Sequence, residues 1–95
     1  MSAPVFLAWA ERDPVLLPDE NAEPVKRALE RRGSLRGTRL VPGAGHYVFL
    51  APCTAELAGD AARLCEDPVG VDRVAVHREL NAEIASFFEQ TLKAP

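Results

Sequence analysis

Asp13 and His46 are the two residues whose types and positions could support acid–base chemistry. Asp13 lies in the polar turn that follows an apolar run at 5–10, and His46 follows a second predicted strand that ends at Val41. A carboxylate bonded to a histidine fixes one tautomer of the imidazole and stabilises its protonated form, which suits the ring to act as a general base. The alternative is that Asp13 only ends a strand and that His46 is a hydrogen-bonded turn residue.

Two strands are predicted to position this pair. Six apolar residues without alternation, at 5–10, are typical of an inner strand of a parallel sheet that is covered on both faces. Pro14 ends that strand because it has no N–H to continue the ladder. A second strand is predicted over 38–41. Since open α/β sheets carry their catalysts at the carboxyl ends of strands, Asp13 and His46 could meet at that edge.

Helices are predicted between and after the strands. The first begins between positions 19 and 23 and runs to Arg32, with acidic residues at its start, basic residues at its end and Gly33 as its C-cap. A short helix is expected around 55–64. The longest starts at the N-cap Asp72 and runs to about position 92. Its apolar stripe consists of Val76, Leu80, Ile84, Phe87, Phe88 and Thr91.

This order of strand, helix, strand and helix predicts an α/β fold. It supplies only two strands, however, and both have the composition of inner strands. Two such strands would leave both edges of the sheet open, and an open edge is a template for pairing with another chain. We therefore expect an upstream segment or a second copy of the chain to complete the sheet.

Composition excludes several classes of protein. The 95 residues are 47% hydrophobic and 26% charged, which is ordinary for a globular chain and excludes collagen-like or disordered ones. A net charge of −3 argues against a nucleic-acid partner. No run approaches 18 apolar residues, so no membrane span is expected. The first residues make a poor signal peptide, so a native start would place the chain in the cytoplasm.

Cys53 and Cys65 lie twelve positions apart, a spacing that matches no common zinc site. We expect two small buried thiols. The alternative is a single disulfide closing a short loop, which would need an oxidising compartment and would indicate an exported protein. The stretch 43–45, Gly-Ala-Gly, lacks the third glycine of a dinucleotide-binding loop. Neither a metal nor a cofactor is therefore expected.

Three segments together resemble the C-terminal part of an α/β-hydrolase. They are VFLAWAERDPV at 5–15, PGAGH at 42–46 and the long final helix. More narrowly, the chain looks like predicted dienelactone hydrolase-type enzymes through HYVFL at 46–50, CT at 53–54, CEDP at 65–68 and DR at 72–73. The resemblance covers nearly the whole chain. It implies that Asp13 is the acid and His46 the base of a catalytic triad, that the two strands are the last two of a larger sheet, and that the final helix packs across it.

The nucleophile of that pattern is missing. In such enzymes a Gly-x-Ser-x-Gly elbow comes first, then the acid, then the histidine. Here Ser2 precedes the first strand, Ser34 follows a helix and Ser86 lies in the final helix. Cys53 follows the histidine loop and has no strand-to-helix elbow around it, so we do not expect it to be the nucleophile. Oxyanion-hole donors would also come from upstream segments.

Our hypothesis is that residues 1–95 are the C-terminal portion of a serine-type α/β-hydrolase. Asp13 and His46 would serve the hydrolysis of a small-molecule carboxylic ester, lactone or other acyl compound, and the isolated chain would be inactive because it lacks a nucleophile. The alternative is a non-catalytic α/β interaction module that pairs through its open sheet edge and the apolar loop 15–17. His77 is expected at the surface or boundary of the final helix.

Overall fold

The computed structural model describes residues 3–92 of the chain. The elements in chain order are β1 (Val5–Ala10), α1 (Ala22–Arg31), β2 (Leu35–Val41), α2 (Ala55–Asp60), α3 (Ala62–Cys65) and α4 (Arg73–Thr91). Within the described residues the sheet is the parallel pair β1–β2, with α1 as the crossover connection. The protein is therefore a mixed α/β chain, as its sequence predicts.

The two strands end level with each other at their carboxyl ends. Ala10 lies opposite Val41, and the N–H of Glu11 donates to the carbonyl of Val41 at 3.1 Å just beyond the strands. The loops that carry Asp13 and His46 therefore leave the sheet side by side.

β1 spans the predicted residues, but β2 begins at Leu35, three residues before the predicted start. The additional residues include the charged Arg36 and the weak strand former Gly37. Apolar content therefore did not predict the first residues of β2. Gly37 fits because it has no side chain: a Cβ there would lie 2.8 Å from Cδ2 of Phe6.

α1 lies within its predicted range and ends as its sequence suggests. Gly33 adopts a φ of 69°, and its N–H donates to the carbonyl of Glu30. The N–H of Ser34 donates to the carbonyl of Leu29. These two bonds form a Schellman cap, in which glycine accepts a backbone conformation that other residues disfavour.

The later helices agree with the sequence except for one break. The helix expected over 55–64 is divided into α2 and α3 at Ala61, whose φ and ψ of −139° and 54° are not helical. α4 begins at its predicted cap, where the Asp72 side chain accepts from the N–H of Ala75 at 3.2 Å. Among residues 3–92, no helix is both long and apolar enough to cross a bilayer.

The buried core is small and lies at the carboxyl end of the sheet. Its apolar members are Ala10, Ala22, Val41, Ala44, Val48 and Leu80. In contrast to the expectation of a strand covered on both faces, residues 5–9 of β1 are only half-buried. Phe88 was expected to pack, yet it is half exposed, whereas the neighbouring Phe87 ring contacts Phe6 with centroids 5.8 Å apart.

The segment between the histidine loop and α4 is tied down twice. Cys53 and Cys65 form a disulfide, so the preferred prediction of two separate thiols is wrong. Spacing alone did not show that their backbones approach, with Cα atoms 5.7 Å apart. The second tie is the buried Arg73, which donates to both carboxylate oxygens of Asp67 at 2.8 and 3.0 Å and to the carbonyl of Leu64 at 2.9 Å.

Candidate active site

Asp13 and His46 meet at the carboxyl end of the two strands. Nδ1 of His46 lies 2.9 Å from Oδ2 of Asp13 and 3.1 Å from Oδ1, although the residues are 33 positions apart in the chain. Asp13 is buried and His46 is partly exposed. The structure thus brings together the two residues that the sequence singled out.

The Asp13 loop is shaped by the aspartate itself. Its Oδ1 accepts hydrogen bonds from the backbone N–H groups of Val15 and Leu16, both at 2.8 Å. Short polar side chains commonly organise turns in this way. The local bonds fix Oδ1, so the second oxygen, Oδ2, is left to make the shorter contact with His46.

Electrostatics keep Asp13 ionised. Burial raises the pKa of its carboxyl group, but the hydrogen bonds from Leu16, His46 and Val15 and the charge of His46 outweigh burial and lower that pKa below its ordinary value. A carboxylate can only accept, so Nδ1 of His46 must carry a proton. In the neutral ring Nε2 then holds the lone pair and can act as a base.

Backbone hydrogen bonds join the Asp13 loop to the His46 loop. The N–H of Arg12 donates to the carbonyl of Ala44 at 2.9 Å. The side chain of Glu11 accepts from the N–H of Gly43 at 2.8 Å. The loops are therefore held together by contacts that do not involve Asp13 or His46.

α4 contacts the histidine loop through one hydrogen bond and through apolar packing. Nε2 of His77 lies 2.7 Å from the carbonyl oxygen of Val48, and a carbonyl can only accept, so His77 donates. The side chain of Val48 is fully buried, in a cluster against which Val76 of α4 packs. His77 lies at the boundary of its helix, as expected.

Sequence reasoning singled out neither Glu11 nor His77 as a support for the loops. Glu11 reads as an ordinary charged residue after a strand. His77 stands beside Val76 of the helical stripe, and the sequence predicts for it only a place at the surface or boundary of the helix. Their partners are backbone groups 32 and 29 positions away, and side-chain spacing carries no information about them.

A groove of about 450 Å³ opens beside the pair. It is lined by the strand residues 7–10, by the start of α1, and by Asp13 and His46. Most of its other lining is apolar, including Leu16 and Phe49. Within residues 3–92, Nε2 of His46 makes no hydrogen bond, so it is available to a group placed in this groove.

No serine or cysteine side chain among residues 3–92 supplies a nucleophile to this site. Ser34 precedes β2 and so lies at the opposite end of the sheet from His46. Ser86 lines a separate cleft near Arg36. Cys53 is held in the disulfide and has no free thiol. Ser2 lies outside the described residues.

Over residues 3–92, no three His, Cys, Asp or Glu side chains are grouped closely enough to hold a metal ion.

The chain matches no family model, no curated protein and no solved structure.

Proposed function

We propose that this chain is the acid- and base-bearing, C-terminal part of a serine-type α/β-hydrolase for carboxylic esters, lactones or similar acyl compounds, akin to dienelactone hydrolases. The observation that carries the proposal is the 2.9 Å contact between Nδ1 of His46 and Oδ2 of Asp13, placed where two parallel strands end. Structural ion pairs also occur in proteins, but this one leaves Nε2 without a partner in the described chain.

In the proposed reaction, His46 takes a proton on Nε2 from a nucleophilic hydroxyl as that hydroxyl attacks the acyl carbon. His46 then returns the proton to the leaving alcohol oxygen. A water deprotonated by the same Nε2 attacks the acyl-enzyme, and the proton passes back to the nucleophile oxygen as the carboxylic acid leaves. Asp13 keeps the ring oriented and stabilises the imidazolium that forms between these steps, while remaining ionised itself. Its lowered pKa favours that role.

The nucleophile would come from a segment that pairs beside β1. Within residues 3–92, β1 pairs with a strand on one edge only, and the groove lined by its residues 7–10 is also lined by His46. The half-buried side chains of β1 would be covered by a further strand there. A partner segment in this groove could place a hydroxyl against Nε2 and add the donors of an oxyanion hole.

Reading the coding sequence upstream of the Met1 codon tests the proposal directly. We expect an in-frame or frameshifted Gly-x-Ser-x-Gly segment. The extended protein should hydrolyse an activated ester such as p-nitrophenyl acetate. The His46→Ala variant should lose at least about a thousandfold in kcat, as expected for loss of a triad base.

The 95-residue chain and a Glu89→Ala variant of the extended protein are the controls. Glu89 is exposed on α4 and makes no contact with the pair. The short chain should show no ester turnover that depends on His46, and the Glu89 variant should keep full activity. Ester turnover by the short chain that disappears in His46→Ala would contradict the proposal.

The disulfide bears on where the enzyme would work. A single disulfide persists in an oxidising compartment and is rare in the cytosol. The Cys53–Cys65 bond therefore favours an exported parent protein over a cytoplasmic one.

A second function is favoured by a separate observation. Val15, Leu16 and Leu17 are 63%, 52% and 45% exposed, and they lie next to the groove along β1. Exposed apolar loops beside an open strand edge are typical of protein interaction sites. This favours the non-catalytic module that binds a partner through β1. An upstream sequence without a nucleophile elbow would support the module instead of the enzyme.

A further inference from the structure

We propose that Glu11 is a positioning residue for the Asp13–His46 pair, acting through the turn at 41–44 that leads into the histidine loop. The inference rests on the proposed function, because it assigns a role within that same pair. Its basis is the hydrogen bond from the N–H of Gly43 to Oε1 of Glu11, 2.8 Å long and 32 positions apart in the chain.

The turn that Glu11 contacts has two possible forms. The N–H of Ala44 donates to the carbonyl of Val41 at 3.4 Å, Pro42 occupies the second position, and Gly43 has a φ of 70°. These are the features of a type II turn. A type I turn could hold the same four residues, but its central peptide would face the opposite way.

Glu11 selects the observed form. In a type II turn the central N–H, here that of Gly43, points away from the turn and takes no partner inside it. The carboxylate of Glu11 accepts that N–H. If the central peptide were flipped, its carbonyl oxygen would face the carboxylate, and two acceptors repel each other.

The form of the turn affects the Asp13–His46 pair because Ala44, the residue after Gly43, is hydrogen-bonded to the Asp13 loop. The carbonyl of Ala44 accepts the N–H of Arg12, which directly precedes Asp13. His46 follows Ala44 by two residues. A change in the peptide at Gly43 would therefore move the backbone that sets the distance between Asp13 and His46.

Glu11 has no competing task in the described structure. It is exposed, and it forms no ion pair with any of residues 3–92. Its carboxylate is thus committed to the Gly43 N–H. A surface carboxylate used only for solubility would not be expected to make one short bond to a backbone group so distant in sequence.

The test compares Glu11→Ala with Glu11→Gln in the 95-residue chain. Both substitutions remove the same negative charge, but only glutamine keeps an oxygen that can accept from Gly43. The difference between them therefore reports the hydrogen bond alone. Glu89→Ala is the matched control for loss of an exposed glutamate.

The first readout is the carboxyl ¹³C titration of Asp13 by NMR, with His46→Ala as the reference for a broken pair. We expect the pKa of Asp13 to be higher in Glu11→Ala than in Glu11→Gln, towards its value in the His46 variant. Amide exchange at Gly43 should be about three- to tenfold faster in Glu11→Ala than in Glu11→Gln, as expected for one lost hydrogen bond. A purely structural role would not move the Asp13 titration.

A measurement on the unaltered chain tests the same hydrogen bond even if a Glu11 variant fails to fold. The amide proton shift of Gly43 should follow the titration of the Glu11 carboxyl group. Equal Asp13 titrations in the two Glu11 variants, or a Gly43 amide shift indifferent to Glu11, would overturn the inference. If His46→Ala leaves the Asp13 titration unchanged, the pair itself is absent and the proposed function fails instead.

Discussion

At the scale of single residues, the site depends on the Asp13 carboxylate, whose two oxygens have different hydrogen-bonding roles. Oδ1 of Asp13 shapes its own loop through the N–H groups of Val15 and Leu16, while Oδ2 makes the shorter contact with His46. Both roles need the ionised form. The stability of the fold and the orientation of the histidine should therefore respond to the same protonation.

Protonation of Asp13 should therefore change the stability of the fold with pH. The pKa of Asp13 is lower in the folded chain than in the unfolded one, so its ionised form adds stability above the unfolded pKa, and that stability is lost as pH falls through the folded pKa. Asp13→Asn should cost about 1–2 kcal/mol at neutral pH. The cost should shrink below about pH 4. Urea unfolding across a pH series measures it.

Asp60→Asn is the control for this series. Asp60 is an exposed carboxylate at the end of α2, and none of its side-chain atoms is hydrogen-bonded within residues 3–92. Its variant should follow the pH profile of the unaltered chain. A cost of Asp13→Asn that stays constant down to the lowest pH would contradict the assignment.

Sequence reasoning works well at this scale for side chains that follow strands. Asp13 and His46 were identifiable because parallel strands bring their carboxyl ends together. Glu11 and His77 were not, because each bonds a backbone group whose position depends on the complete fold.

At the scale of elements, the histidine loop depends on a glycine conformation. Gly43 has a φ of 70°, which strains any residue with a Cβ. A Cβ there would meet Cγ2 of Val71 at 3.7 Å, an ordinary contact, so the cost of a substitution is conformational rather than steric. Adding one methyl group at Gly43 should therefore lower the stability of the turn that leads to His46.

Gly43→Ala should destabilise the chain by about 1–2 kcal/mol, the cost of the left-handed conformation for a residue with a Cβ. Gly59→Ala is the control, since Gly59 lies in α2 with open space around its Cα. That change should be neutral or stabilising because alanine favours helices. Thermal or urea unfolding compares the two. Equal effects would contradict the role of the turn.

The tie between α4 and the preceding segment gives another element-scale prediction. Arg73→Ala leaves the buried carboxylate of Asp67 without its partner and should cost about 3 kcal/mol. Arg78→Ala, on an exposed face of the same helix, should cost less than about 0.5 kcal/mol. Urea unfolding of both variants tests this, and similar small costs would show that the Arg73 bonds contribute little.

Element boundaries were predictable where a local signal marks them. Gly33 and Asp72 stop α1 and start α4 where the sequence indicates, because caps are local. The early start of β2 was hidden because Gly37 is selected by contact with Phe6, and the break at Ala61 carries no sequence signal of its own. The disulfide belongs to the same class, because it depends on how α3 returns to Cys53.

At the scale of the whole molecule, the chain exposes more surface than its size requires. Its accessible surface is 6646 Å², whereas a compact protein of 10.3 kDa exposes about 5,400 Å². The radius of gyration of 15.2 Å likewise exceeds the value of about 12 Å for a compact 95-residue domain. The excess is what we expect if further strands complete the sheet, as proposed.

The exposed apolar surface along β1 should therefore cause association. In sedimentation velocity we expect the weight-average coefficient of the chain to rise with concentration. Leu16→Lys should suppress the rise, because Leu16 lines the groove beside β1. Val69→Lys should not, because Val69 is fully exposed elsewhere. A monomer at all concentrations that unfolds cooperatively would contradict the incomplete sheet.

Composition indicates a globular chain, and the order of strand, helix, strand and helix predicts its α/β class. Two inner-type strands predict a sheet with more strands than these residues supply. The sequence does not predict which segment would complete the sheet, because the strand proposed to cover the groove along β1 is not among these residues. The contact between Asp13 and His46 could be predicted, because both residues belong to this sequence and follow its two strands.

The tautomer of the neutral His46 ring decides whether Asp13 prepares this histidine to act as a base. ¹⁵N NMR of the imidazole ring distinguishes a protonated nitrogen from one with a lone pair. For the neutral ring we predict a proton on Nδ1 and a lone pair on Nε2, with this preference lost in Asp13→Asn. A neutral ring that carries its proton on Nε2 in the unaltered chain would contradict the account, because His46 could then not serve as a base held by Asp13.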